Sequence, residues 1–144
     1  MIAVDTNILV YAHREESKWN DRAYEAIGGL AQGTAPWAVP WPCIGEFVAV
    51  VTNTRIFPLP SSAEEALLQV DIWLESPTLV LLSEPADFWP TWRAMVKASR
   101  LVGPRTYDAR IAALCVTHGV REFWTADRDY GRFPGLRTRN PLVA

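Results

Sequence analysis

The sequence predicts an α/β fold: a mainly parallel central β-sheet of four or five strands flanked by helices on both faces. Two observations carry this expectation. Short apolar runs suited to strands alternate with longer stretches whose apolar residues recur at helical spacing, an order that implies strand–helix–strand crossovers and a sheet covered on both sides. The chain has 144 residues, 49% of them hydrophobic, which suffices to bury the core of one domain. It contains no repeat, low-complexity tract or linker, so a single domain spanning 1–144 is expected.

Taken in order, Ile2-Ala3-Val4 reads as a strand and 6–13 as a helix. A second helix over 18–32 places Trp19, Ala23, Ile27 and Leu30 on one face. Residues 37–39 form the second strand candidate. Residues 43–52, opened by Pro42, make a helix that looks apolar all round apart from Glu46. Ser62-Ala63-Glu64-Glu65 is a capping-box sequence, and Ala66, Leu67, Val70 and Leu74 share a face, which predicts a helix over 63–75. The third strand is 79–82. Helices follow over 88–101, with Pro90 near the start, and over 108–118, stopped by Gly119, before a fourth strand at 123–125.

The start Met1-Ile2-Ala3-Val4 lacks the basic and apolar regions of a signal peptide, and no apolar run approaches the roughly 20 residues of a membrane span. A cytoplasmic protein is expected. Cys43 and Cys115 lie far apart in apolar segments without a C-x-x-C or a neighbouring His, which suits packing better than zinc or a disulfide. Net charge is −2 but uneven: residues 1–99 carry 6 Lys+Arg against 12 Asp+Glu, and residues 100–144 carry 8 against 4. The basic end suits a phosphate backbone, or a solvated face. The seven tryptophans suit a core, with Trp19 and Trp41 the nearest to an exposed site.

Four acidic residues carry the chemical argument. Asp5 directly follows the first strand and opens a helix, where it serves either as a cap or as a ligand. Glu46 interrupts an apolar helix, and a buried carboxylate costs several kcal/mol unless paired with a cation or metal. Asp108 opens a helix, where the dipole favours it, and Asp127 follows the last strand. In open α/β sheets ligands bind beyond the carboxyl ends of the strands, which would bring all four to one edge. Carboxylates gathered there repel one another, and a hard divalent cation, Mg²⁺ or Mn²⁺, relieves the repulsion better than zinc. Only His13 and His118 are present, neither in a catalytic context, so metal-activated water is the economical route to phosphodiester hydrolysis, with one ion or two.

Asp5-Thr6-Asn7-Ile8-Leu9, the isolated Glu46, Asp108-Ala109 opening an Ile-Ala-Ala helix, and Thr125-Ala126-Asp127-Arg128-Asp129-Tyr130 together resemble the PIN-domain nucleases. Length and spacing are most similar to the VapC toxins of bacterial toxin–antitoxin pairs. The resemblance implies a single PIN domain and a Mg²⁺-dependent endoribonuclease, with Mn²⁺ as a substitute, that leaves a 5′-phosphate. It makes Asp5 and Asp108 the main metal ligands, with Glu46 and Asp127 completing the cluster directly or through water. Asp129 is a weaker candidate, for an outer position or a second metal. Asn7 would orient a carboxylate, and the Thr125 hydroxyl would hold the attacking water or a ligand. It further implies a VapB-type antitoxin that occludes the site with a basic side chain, a homodimer, and no membrane association. Tyr130 stands where many relatives carry Phe, a difference that bears on packing.

Two other readings remain. One is a catalytically inactive PIN-like module that binds protein or RNA. The other is an aspartate-dependent magnesium phosphohydrolase, which fits less well because Asp5 is followed by Thr6-Asn7 and the only lysines are Lys18 and Lys97. The RNA target is not legible, since recognition of looped RNA rests on loop shape and stacking.

Overall fold

Ile2, Ala3 and Val4 can form a strand only where both of its faces are covered, because no polar side chain alternates with them. A computed structural model, which describes residues 1–144, puts this strand, β1 (Ile2–Val4), at the middle of the sheet. The other strands are β2 (Trp37–Pro40), β3 (Leu79–Leu82), β4 (Glu122–Trp124) and β5 (Thr138–Arg139). Their spatial order is β3-β2-β1-β4-β5, and every neighbouring pair is parallel. The chain therefore steps one way from β1 through β2 to β3, then returns to place β4 on the other side of β1. Between β1 and β4 lies the switch point at which such sheets bind ligands.

Six helices make the crossovers: α1 (Thr6–His13), α2 (Asn20–Gln32), α3 (Trp41–Val51), α4 (Ala63–Leu74), α5 (Trp89–Ser99) and α6 (Thr106–Thr117). The first four pack on one another and α5 packs on α6. Right-handed crossovers put these two groups on opposite faces of the sheet. The core between them is continuous, with Val4, Ile8, Leu9, Trp37, Phe47, Leu114 and Phe123 fully buried. Cys43 and Cys115 are free thiols inside it. No helix is long and apolar enough to cross a membrane.

The capping box closes as expected: Ser62 Oγ accepts from Glu65 N–H at 3.1 Å and Glu65 Oε1 from Ser62 N–H at 3.2 Å. Gly119 ends α6 at φ +67°, with Val120 N–H bonded to Cys115 O and Gly119 N–H to Val116 O, the paired bonds of a Schellman turn. Other boundaries differ. The second helix begins at Asn20 rather than 18, because Lys18 and Trp19 form a turn in which Ser17 Oγ accepts from Trp19 N–H. Helix α5 stops at Ser99 because Arg100 takes a left-handed conformation, φ 57°. The fifth strand falls within the expected four or five, at a place the sequence pattern does not mark: two polar residues make a strand only by pairing with β4.

The expectation that the Glu46 helix is buried all round is corrected. In α3, Cys43, Ile44, Phe47 and Val51 are buried, whereas Gly45, Glu46 and Ala49 are exposed. Glycine and alanine register as apolar by type, yet at three- and four-residue spacing they make an open stripe with Glu46 on it.

Replacing Gly119 by Ala puts a Cβ in the left-handed region, where nothing crowds it within 4 Å. The cost is therefore backbone strain alone, about 1–2 kcal/mol. Thermal melting should show a fall of several degrees.

Candidate active site

Parallel register decides which residue stands beside Asp5. Val4 pairs with Trp124, and Asp5 N–H extends the ladder to Trp124 O at 2.9 Å, so the next positions, Asp5 and Thr125, are neighbours across the carboxyl end of the sheet. Thr125 Oγ1 donates to Asp5 Oδ2 at 2.7 Å. The other oxygen, Oδ1, accepts from Thr6 N–H at 2.8 Å, which makes Asp5 the N-cap of α1 as well. The capping and functional readings of Asp5 are thus compatible, one for each oxygen.

Asn7 ties the two strand ends together. Its Nδ2 donates to Asp5 Oδ2 (3.1 Å) and Thr125 Oγ1 (3.2 Å), and its Oδ1 accepts from Ala126 N–H. Thr125 Oγ1 also accepts from Asp127 N–H at 3.0 Å. Behind Asp5 the buried Cys43 thiol faces Oδ1 at 3.8 Å, and burial pushes its pKa well up, so it remains a donor. Asp5 is buried, yet no arginine or lysine pairs with it, with Glu46, with Asp108 or with Asp127.

These four carboxylates line one cavity of about 340 Å³ together with Thr6, Asn7 and Tyr130. They share the cavity without meeting at a point: no three His, Cys, Asp or Glu side chains form a group able to hold an ion as they stand. Burial pushes Asp5 up to about 7 against the opposing hydrogen bonds, with Glu46 and Asp108 adding smaller repulsions. Glu46 is raised by partial burial and then by Asp108. Asp108 is raised chiefly by partial burial and, less, by Asp127, while the Tyr130 hydroxyl, donating to Asp108 Oδ1 at 3.2 Å, acts downward. Thr6 Oγ1 is buried without a hydrogen-bond partner; its dipole favours Glu46 ionised, but no bond of normal geometry joins them. Uncompensated hard oxygen donors beside an orphaned buried hydroxyl fit a hard divalent cation such as Mg²⁺ or Mn²⁺.

Asp129 does not line this cavity. It pairs with Arg105 and, at 3.8 Å, with Arg132, and the Arg105 guanidinium holds its carboxyl below the usual range. The basic carboxyl end is partly self-neutralised in the same way: Arg110 pairs with Glu84, while Arg137 and Arg139 approach Glu122. Trp19 and Trp41 do not line the cavity. A larger concavity of about 720 Å³ lies elsewhere, beside His13, Arg14 and Gln69, and holds none of the four carboxylates. There His13 is engaged by Gln69 and Ser61 at 3.0 and 2.9 Å. Sequence reasoning missed Cys43, Thr6 and Tyr130 as neighbours of the carboxylates. Only Tyr130 left a signal, the hydroxyl added where Phe is common.

A parallel α/β sheet with acidic side chains gathered at its switch point is the architecture of a PIN domain, and a sequence model of the PIN domain matches residues 2–136; the chain belongs to this family. Within it the chain is similar to VapC ribonucleases. Ribonuclease VapC43 of Mycobacterium tuberculosis is 32% identical over 142 residues, covering 99% of this chain and 96% of that protein. Ribonuclease VapC48 of the same organism is 28% identical over 138 residues, covering 96% and 95%. Among solved structures, VapBC2 of Rickettsia felis bound to a DNA fragment from its promoter superposes with a TM-score of 0.71 at 21% identity, covering 97% of this chain and 98% of the other. VapC20 of Mycobacterium tuberculosis, a sarcin-ricin loop cleaving toxin, gives 0.68 at 18% identity, covering 95% and 99%. At those identities the structural likeness establishes the fold.

The raised Asp5 has a signed consequence for stability. The folded state holds the Asp5 proton more tightly than the unfolded chain, so this contribution is complete below about pH 4 and is lost as pH rises towards 7. In metal-free solution, the stability of the unaltered chain relative to Asp5→Asn should therefore fall between pH 4 and 8. Denaturant titrations that run parallel across that range would contradict the assignment.

Proposed function

We propose that this chain is a divalent-metal-dependent endoribonuclease, the toxin of a VapBC-type toxin–antitoxin pair. In this reading it is a single PIN domain over 1–144 acting in the cytoplasm. The observation that carries it is the Asp5 carboxylate, buried at the switch point beside Glu46, Asp108 and Asp127 with no cation of its own. Similarity to ribonucleases VapC43 and VapC48 over nearly the whole chain supports RNA as the substrate.

Asp5 and Asp108 are the principal ligands of Mg²⁺ or Mn²⁺, with Glu46 and Asp127 completing the shell directly or through water. When bound, the ion supplies Lewis-acid polarisation of the scissile phosphate and activation of water. Thr125 and Asn7 fix the Asp5 carboxylate, leaving it one orientation. Tyr130 holds Asp108 and favours its ionised form. Asp129 is assigned an outer role, keeping Arg105 beside the mouth, where that guanidinium's charge acts on Asp108. An anionic pocket that accepts Mg²⁺ also accepts an arginine or lysine presented by a partner, which suits inhibition by a VapB-type antitoxin. A homodimer completes the proposal.

Cleavage of total cellular RNA by the purified chain tests it. Discrete fragments should form with Mg²⁺ or Mn²⁺, vanish with EDTA, and be lost with Asp5→Asn or Asp108→Asn. Absence of metal-dependent cutting at any dose would favour a binding module that has kept only the fold. In the same assay Tyr130→Phe removes a donor that favours ionised Asp108. The acid limb of the pH–rate profile should then move to higher pH, and an unmoved limb would exclude this role for Tyr130.

A further inference from the structure

The cavity that the carboxylates line also carries side chains of different chemistry. Besides the acids it is lined by Val10, Tyr11, Val50, Ile56 and Phe57, which come from α1, from α3 and from the segment after α3. No lysine or arginine lines the cavity at all. With no basic side chain in the lining, the phosphate is attracted there by the bound ion of the proposed function, and the protein's own hold on a nucleotide falls to another part of that nucleotide. A nucleotide seated with its phosphate at the carboxylates carries its base only a few ångströms away, and the apolar and aromatic part of the same lining is within that reach.

The wall is set in advance. The Arg14 guanidinium lies 4.2 Å from the centre of the Phe57 ring. Arg14 is itself held by Leu59 O at 2.7 Å, by Ser61 Oγ at 3.2 Å and by Glu16. Tyr11 and Phe57 both pack partly against the core. Ile56, 51% exposed, forms the outer lip.

We infer that this wall is a nucleobase subsite, which receives one unstacked base of a single-stranded or looped RNA next to the scissile phosphate, with Tyr11 and Phe57 as the stacking surfaces. The inference rests on the ribonuclease reading above and deepens it. Stacking is tolerant of base identity, so the subsite selects unpaired RNA over duplex more strongly than it selects one base over another. A duplex keeps its bases stacked and cannot offer one to the wall.

The test uses a short single-stranded RNA that contains a cut site of the unaltered chain, with an abasic riboside placed in turn at each position around the cut. At one position beside the cut, kcat/KM should fall on the order of ten- to a hundredfold, the range expected for one lost base–aromatic stack. Phe57→Leu and Tyr11→Leu keep apolar bulk but remove the ring, and should lose most of that dependence on the base, a coupling that a merely structural role does not produce. Tyr11→Phe keeps the ring and should keep the dependence. Ile56→Ser, on an exposed side chain, supplies a variant whose folding is not at issue and should raise KM for intact RNA. Equal cutting of every abasic RNA, or an equal loss by the variants on all substrates, overturns the subsite while leaving the nuclease standing. If those variants instead lose inhibition by a partner protein and still ignore the base, the wall belongs to a peptide. No metal-dependent cutting by the unaltered chain removes the ribonuclease reading and the subsite with it.

Discussion

A carboxylate at the carboxyl end of the central strand, shut away from water and given no counter-charge, is the constraint around which the rest is arranged. Asp5 accepts bonds from the Thr6 N–H, the Asn7 amide and the Thr125 hydroxyl, and faces the Cys43 thiol. Those neutral donors orient the group and offset part of its desolvation, but they leave it protonated up to about pH 7. Burial of an ionised carboxylate without a partner costs several kcal/mol. Once Asp5 ionises, the fold therefore carries a strain that a cation from outside relieves, whether a metal ion or the basic side chain of a partner.

Each secondary element contributes to that arrangement through its position. The parallel register of β1 and β4 sets Thr125 beside Asp5. Helix α3 leaves the end of β2 and projects Glu46 from an open stripe over the same strand end. Helix α6 places Asp108 in its first turn, where the helix dipole partly compensates its charge. Asp127 caps the 3-10 helix Arg128–Arg132 through Asp129 N–H, so the residue that bounds the cavity also fixes the loop behind it. Proteins commonly accept such local destabilisation at functional sites while the surrounding core holds the geometry.

Local signals made much of this legible. Asp5 after Ile2-Ala3-Val4, the Ser62–Glu65 box and Gly119 each declare themselves within four or five residues, and the structure places all of them where the pattern did. The four carboxylates also share one cavity, as strand-end placement implied. What escaped is what depends on tertiary neighbours. Glu46 looked buried because Gly45 and Ala49 count as apolar while covering almost nothing. Strand β5 is two polar residues that owe their conformation to β4. Asp129, near Asp127 in sequence, is drawn outward by Arg105, 24 residues away. Tyr11 and Phe57 carry no local signal, and only the fold brings them to the cavity of the acids.

The central claim, that the acidic cluster around buried Asp5 exists to bind a divalent cation, is tested most directly by calorimetric titration of Mn²⁺ into the metal-free chain near pH 7 in buffers of different ionisation enthalpy. Ligands must lose their protons to bind metal. The account predicts saturable binding with proton release, and release that disappears in Asp5→Asn. Failure to bind, or binding with no proton released, would contradict it.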